Sequence, residues 1–178
     1  MTVRLRLAHT AGLEPAELRA ARALLDEAFD DFSDEDWDHG LGGMHVLLRD
    51  DDGLAAHGSV VQRRIRHRGR WLRTGYVEAV AVRADVRRTG LGGRVMAELE
   101  RVIDRAYDLG ALAASEAGAP LYAARGWQHW GGRVHALSPD GIVRLPEEEG
   151  YLWLRPALAG APDPGHELVL DWRDGDVA

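Results

Sequence analysis

The amino-acid sequence predicts an α+β fold built on a mixed, mostly antiparallel sheet. Three observations carry this. Short segments alternate apolar and polar residues, the period of a strand. Turns rich in acidic residues or glycine join three of those segments as hairpins, which makes them antiparallel neighbours. A strand, a glycine-rich loop, an amphipathic helix and another strand then follow in turn, which is a parallel crossover. The order β-α-α-β-β-β-α-β-α-β excludes a doubly wound parallel sheet.

Residues 3–9 read as the first strand, with Val3, Leu5 and Leu7 alternating with Arg4 and Arg6. An alternating start of this kind is not a signal peptide. A helix is predicted over 15–29, where Pro15 suits the first turn and Leu18, Ala21, Leu25, Ala28 and Phe29 form an apolar face. Ser33 and Asp36 within the acidic stretch 30–38 predict a capped short helix. Strands over 45–49 and 54–65 flank the turn Asp50-Asp51-Asp52-Gly53, and a second turn at 66–70 leads into a strand over 72–83. A helix over 91–109, a strand over 111–114 and a helix over 120–125 ended by Gly126 come next. Residues 127–137 predict a hairpin turned at Gly131-Gly132. The last strands are 151–154 and 167–172, separated by a loop at 156–165 rich in Pro, Gly and Ala.

A chain of 178 residues, 46% hydrophobic, is expected to form one domain over 1–178 with a sizeable core. It has no apolar run long enough to span a membrane. The absence of cysteine excludes disulfides, thiolate metal sites and a cysteine nucleophile, and fits a cytoplasmic location. All 22 basic residues are arginine, so Schiff-base chemistry and a phosphate-loop lysine are excluded. A net charge of −7 disfavours nucleic acid and suits a cationic ligand. The arginine run from Arg63 to Arg70 then reads as a solvated hairpin tip. His39 and His45 lack helical ligand spacing and no His-Glu-x-x-His occurs, so no metal is predicted. His57 reads as a packed or edge residue, and Trp37 and Trp172 as the tryptophans best suited to stack on sugar rings.

Arg87-Arg88-Thr89-Gly90-Leu91-Gly92-Gly93 stands between a strand and a helix, where glycines admit a ligand to the backbone and free helix N–H groups face an anion. Val95 stands where a dinucleotide fingerprint needs its third glycine, and no Gly-Lys-Ser/Thr follows. The Arg-x-x-Gly-x-Gly pattern resembles the coenzyme A-binding signature of the GNAT superfamily of N-acetyltransferases. Leu121-Tyr122-Ala123-Ala124-Arg125-Gly126-Trp127 resembles that superfamily's second signature.

The resemblance implies a GNAT fold, with the strands on either side of the first signature splayed about the pantetheine of acetyl-coenzyme A. It implies coenzyme contacts from Val80, Ala81 and Val82, from Arg87, Arg88, Thr89, Gly90, Leu91, Gly92 and Gly93, and from Ser115, with a backbone N–H polarising the thioester carbonyl. Tyr122 would protonate the leaving thiolate, since a phenol of pKa ~10 can donate to a thiolate of pKa ~8.5 or above.

Glu78 interrupts the apolar run Tyr76-Val77-Glu78-Ala79-Val80-Ala81-Val82, where a charge is costly without a role, and is the candidate general base. A closer resemblance is carried by Asp31-Phe32-Ser33, His39-Gly40-Leu41-Gly42-Gly43-Met44-His45, Gly75-Tyr76-Val77-Glu78-Ala79, Tyr107-Asp108-Leu109-Gly110 and Asp171-Trp172-Arg173-Asp174-Gly175-Asp176. These resemble the aminoglycoside 2′-N-acetyltransferases over essentially the whole chain. That family implies a homodimer that acetylates the 2′-amine of an amino sugar, with Asp31, Asp36, Glu78, Ala79, Glu148, Asp176 and Ala178 at the substrate. Two departures stand out. The chain ends Asp176-Val177-Ala178 where the family pattern ends in tryptophan, so Ala178 keeps a carboxylate and loses an aromatic wall. Ala113-Ala114-Ser115 keeps only Ser115 of a more serine-rich stretch. The altered end leaves open a different cationic amine or amino sugar as substrate. A protein that sequesters aminoglycosides without turnover is a third reading, opposed by the presence of Glu78 and Tyr122.

Overall fold

A computed structural model describes residues 2–178. Met1, the start of the run read against a signal peptide, lies outside the described residues. The elements follow the expected order. They are β1 (Arg4–His9), α1 (Pro15–Ala28), α2 (Asp34–His39), β2 (Met44–Asp50), β3 (Gly53–His67), β4 (Arg70–Val82), α3 (Leu91–Ala106), β5 (Leu109–Ala113), α4 (Ala119–Ala124), β6 (Gln128–His129), β7 (Val134–Ser138), β8 (Gly141–Arg144), β9 (Leu152–Pro156) and β10 (Leu168–Asp171). They fall into two compact units, one formed by residues up to Val61 with Val77–Arg101, the other by Gln62–Tyr76 with Val102–Ala178.

In the first unit the strands run β4-β3-β2-β1, and β1, β2 and β3 pair antiparallel. Here α1 has Pro15 in its first turn and a reciprocal Glu14–Glu17 capping box. It buries Ala21, Leu24 and Leu25 in a core with Leu13, Leu47, Leu54 and Ala81, against which Phe32 and Trp37 also pack. Ser33 caps α2 by accepting from Asp36 N at 3.0 Å, and Asp36 accepts from Ser33 N at 2.9 Å. Gly43 of the Leu-Gly-Gly-Met-His stretch lies so close to Val60 that a Cβ would collide with its carbonyl. Close backbone approach explains that glycine. Gly58 likewise leaves room for Val95 and Leu99 of α3.

In the second unit the order is β6-β9-β5-β4-β3-β10-β7-β8, with β4–β5 and β7–β10 parallel and the remaining registered pairs antiparallel. The expected mixed, mostly antiparallel α+β sheet is therefore present. The parallel β4–β5 register runs from Thr74↔Leu109 to Tyr76↔Ala111.

Three local expectations need correction. The helix over 91–109 stops at Ala106, because Asp108 is captured by the sheet: its carboxylate accepts from Arg73 N at 2.9 Å and its N–H donates to Arg73 O at 2.8 Å. Leu109 thus opens β5. Residues 127–137 are not a hairpin. Buried Trp130 donates its backbone N–H to Leu152 O and β6 pairs with β9, whereas β7 pairs with β8 and β10. The hairpin actually present, β7–β8, turns at Ser138-Pro139-Asp140-Gly141, a recognisable turn sequence. Finally, Arg63 is not part of a solvated tip. It is 4% exposed and stacks over the Tyr76 ring at 4.7 Å.

Candidate active site

Residues Thr74 to Val77 of β4 are buried, and Glu78, Ala79 and Val80 are partly open. Ala79 has φ 49, a left-handed residue inside a strand. Such backbone strain survives only where surrounding structure over-determines it, and it concentrates at functional positions. The strand reading did not foresee it, because alanine carries no signal for positive φ. Beside it, Gly40 closes α2 between Trp37 O, Ser59 Oγ and Glu78 Cβ, which a Cβ on Gly40 would meet at 3.5, 3.1 and 3.9 Å. The end of the acidic helix therefore lies next to Glu78. Asp36 of that helix is partly buried and uses one oxygen in the cap, while Asp31 is exposed with φ 58.

Past β4, Arg83 Nη2 pairs with buried Asp50 at 2.8 Å and Arg83 Nε with Asp85 at 2.7 Å. These two carboxylates push the guanidinium pKa up, and Arg83 holds both carboxyls below their ordinary range. The pairing braces the turn that feeds the glycine loop. In the loop Arg88 and Gly90 have φ 62 and 89, Thr89 Oγ1 donates to Val86 O at 2.6 Å, and Arg87, Arg88, Thr89 and Gly90 are exposed. Arg94 N, bonded to Gly90 O at 3.1 Å, closes the first turn of α3. Helix geometry leaves the N–H groups of Leu91, Gly92 and Gly93 without i−4 partners, a site suited to a phosphate anion.

In the second unit, Ser115 is exposed past β5, and its carbonyl accepts from Gly118 and Ala119 N at 3.0 Å each, which starts α4. A Cβ on Gly118 would lie 3.2 Å from the Tyr122 ring and 3.8 Å from Ser115 Oγ, so Ser115 and Tyr122 are neighbours. Tyr122 meets Trp127 edge-on at 6.3 Å, and burial pushes its phenol up to about 12. That is a fully protonated donor at neutral pH.

Also in the second unit, Glu148 hydrogen-bonds to Asp176. Burial, then the hydrogen bond and charge of Asp176, push the Glu148 carboxyl up to about 7, and Arg173 opposes the rise. Arg63 holds the segment that carries Asp176: Nε and Nη2 bond Asp171 at 2.9 and 2.8 Å, and Nη1 bonds Val177 O at 2.7 Å. Arg173 bonds Asp176 O at 2.7 Å and Ala178 O at 3.0 Å. Ala178 is buried. The sequence singles out Asp176 and Glu148, but not the arginine clamp, whose signal was hidden in an arginine-rich run. Trp172 is exposed and Trp37 packs on the first unit's core. Among the described residues no group of three or more His, Asp or Glu side chains is placed to hold a metal. No helix among them is long and apolar enough to cross a membrane.

Residues 10–130 match the family model of the acetyltransferase (GNAT) domain. The chain belongs to the GNAT acetyltransferases. It is 47% identical to an aminoglycoside 2′-N-acetyltransferase of Mycolicibacterium fortuitum, over 97% of this chain and 90% of that protein. The resemblance read from the sequence is thereby borne out, and the chain is an enzyme, an acetyltransferase. The GNAT N-acetyltransferase YhbS of Escherichia coli, solved with CoA, shares the fold at TM-score 0.64 and 18% identity, over 97% of this chain and 90% of that one. A GCN5-related N-acetyltransferase of Kribbella flavida matches 74% of the chain at TM-score 0.59 and 20% identity, and this GNAT chain spans 34% of its length.

Proposed function

We propose that this acetyltransferase moves the acetyl group of acetyl-coenzyme A to the 2′-amine of aminoglycosides, by direct attack of the amine on the thioester. The observation that carries the reading is the 47% identity, over nearly the whole chain, to a protein named for that activity. The residues fit the coenzyme: an exposed loop with two left-handed residues ends in a helix with open N–H groups. Acetyl-coenzyme A supplies the acetyl group as an activated thioester.

Arg87, Arg88, Thr89, Gly90, Leu91, Gly92 and Gly93 hold the pyrophosphate, with Arg87 and Arg88 the exposed cations. Val80, Ala81 and Val82 offer backbone partners for the pantetheine, and Ser115 a hydroxyl. The left-handed φ of Ala79 departs from regular strand geometry next to Val80, which supports the use of a backbone N–H there as an oxyanion donor. Glu78 takes a proton from the substrate ammonium, as a partly open carboxylate can. Tyr122 donates its proton to the leaving thiolate. Asp31, Asp36, Glu148 and Asp176 bind further ammonium groups through charge-assisted hydrogen bonds, with Ala79 and Ala178 completing the contacts. The same reading takes the enzyme to be a cytoplasmic homodimer able to confer aminoglycoside resistance. The exposed Leu137, Ile142 and Val143 support an apolar subunit contact.

The test is thiol release from acetyl-coenzyme A with two aminoglycosides that differ only in a 2′-amine or 2′-hydroxyl. Release with the amine alone is expected. Release with the hydroxyl compound at a similar rate contradicts the assignment.

A further inference from the structure

Residues 171–178 of the second unit are held by two arginines. Arg63 stands on β3, is 4% exposed, and turns all three guanidinium nitrogens on this segment. Nε donates to Asp171 Oδ1 at 2.9 Å, Nη2 to Asp171 O at 2.8 Å and Nη1 to Val177 O at 2.7 Å. One planar group therefore ties together the two ends of the loop 172–176. The other oxygen of Asp171 accepts from Arg64 N at 2.9 Å, which fixes the start of the loop on β3 a second time. Within the loop Gly175 turns the chain at φ 75. Arg173 donates from Nε to Asp176 O at 2.7 Å and from Nη2 to Ala178 O at 3.0 Å. Both guanidinium carbons lie over the Tyr76 ring, Arg63 at 4.7 Å and Arg173 at 5.5 Å from its centroid, and Tyr76 is 1% exposed.

A buried guanidinium is costly unless its donors are paired, so burial of Arg63 favours the closed loop. Its rigid fork serves Asp171 and Val177 at once, a geometry that the compact ammonium of lysine does not reproduce. The Tyr76 ring adds a cation–π platform for both arginines. The consequence falls on Asp176. Val177 and Ala178 are buried, whereas Asp176 is exposed. Its main-chain O is held by Arg173, and its Oδ1 accepts from Ala178 N at 3.4 Å. Asp176 thus stands at the surface on a backbone fixed from both sides.

We propose that Arg63 and Arg173, stacked on Tyr76, are positioning residues for substrate recognition: they hold the loop 172–176 closed, so that the Asp176 carboxylate is already in place for an ammonium group of the substrate. A carboxylate on a mobile loop has to be ordered at the moment of binding, and the clamp removes that cost beforehand. The sign of the effect separates positioning from simple electrostatics. Arg173 is a cation beside Asp176, so on charge alone its removal would strengthen the binding of a cationic substrate. Loss of the clamp weakens it. This inference rests on the reading that Asp176 contacts the substrate.

The experiment has two readouts. The first is amide hydrogen exchange of the full protein without substrate. In Arg63→Lys the amides of residues 171–178 are expected to exchange about tenfold faster or more. Unchanged protection there overturns the clamp whatever the role of Asp176. The second is steady-state kinetics with acetyl-coenzyme A and an aminoglycoside bearing a 2′-amine. Arg63→Lys and Arg173→Met are each expected to raise KM for the aminoglycoside about tenfold, the worth of one charged hydrogen bond. Their kcat should stay within about threefold, with KM for acetyl-coenzyme A unchanged. Arg173→Met alters a partly exposed side chain and so decides the matter even where Arg63→Lys does not fold. A lower KM in Arg173→Met, or a loss confined to kcat, overturns the positioning role. Asp176→Asn removes the charge and keeps an oxygen that can accept from Ala178 N. In that background the arginine substitutions have no carboxylate left to position and should change KM by less than about twofold. Equal losses with and without the Asp176 carboxylate overturn the proposal. If Asp176→Asn alone keeps wild-type KM while exchange in Arg63→Lys is fast, the substrate assignment of Asp176 fails, and the recognition role of the clamp fails with it.

Discussion

Glu148 should release a proton when the substrate binds. Its carboxyl sits at about 7 because burial favours the protonated form, as does the hydrogen bond that this form donates to the Asp176 carboxylate. An ammonium placed against the pair reverses that preference and favours the carboxylate. A carboxyl of pKa about 7 is roughly half protonated at pH 7, about nine-tenths at pH 6 and nearly ionised at pH 8.5. Complete ionisation on binding would therefore release about half a proton at pH 7 and close to one at pH 6. Affinity should fall between pH 8.5 and pH 6 by about tenfold, and solvent screening of this half-buried group reduces that to roughly three- to tenfold. Calorimetric titration in buffers of different ionisation enthalpy measures the protons directly. The amines of an aminoglycoside titrate too, so the quantity that counts is wild type minus Glu148→Gln, in which their contribution cancels. A difference of about half a proton at pH 7, shrinking toward pH 8.5, is expected. A difference of zero at pH 6 and pH 7 would refute the reasoning.

Glu78→Gln should lower kcat by about 10²- to 10⁴-fold, the usual worth of a general base, with coenzyme A affinity retained by fluorescence titration. Tyr122→Phe should slow thiolate release by about 10²-fold or more, with less effect when the leaving thiol is more acidic. His45 and His57 have folded pKa values below their ordinary 6.5, so below that pH the unfolded chain takes up protons that the folded chain does not. Stability is then full above pH 6.5 and lost on acidification toward pH 4, with a slope approaching two protons, about 2.7 kcal/mol per pH unit. Denaturant midpoints against pH test this, and His57→Gln should remove about one proton from the slope. Gly43→Ala should cost about 2 kcal/mol or more in thermal unfolding, because the new methyl group meets the Val60 carbonyl.

Turn chemistry and periodicity made most of the fold legible before any coordinates were considered. Asp50-Asp51-Asp52-Gly53 and the Ser33–Asp36 box each act through groups only a few residues apart, and both formed as expected. What escaped depends on distant partners. The end of α3 is decided by Asp108 reaching Arg73, and the two-residue β6 by Trp130 reaching Leu152. The site divides the same way. Glu78 announces itself as a charge in an apolar strand, and the glycine loop by its neighbours. The kink at Ala79, the joined imidazoles of His45 and His57, and the burial of Arg63 under Asp171 and Val177 have no local signature. They exist because strands far apart in sequence place those groups together.

The central claim is regiospecific transfer to a 2′-nitrogen. It is tested most directly by incubating the protein with acetyl-coenzyme A and an aminoglycoside bearing several amines, and locating the new acetyl group by two-dimensional NMR of the product. A single acetyl on the 2′-nitrogen is the expected result. Acetylation at another nitrogen, or an unmodified antibiotic alongside turnover of a different amine, would contradict the account.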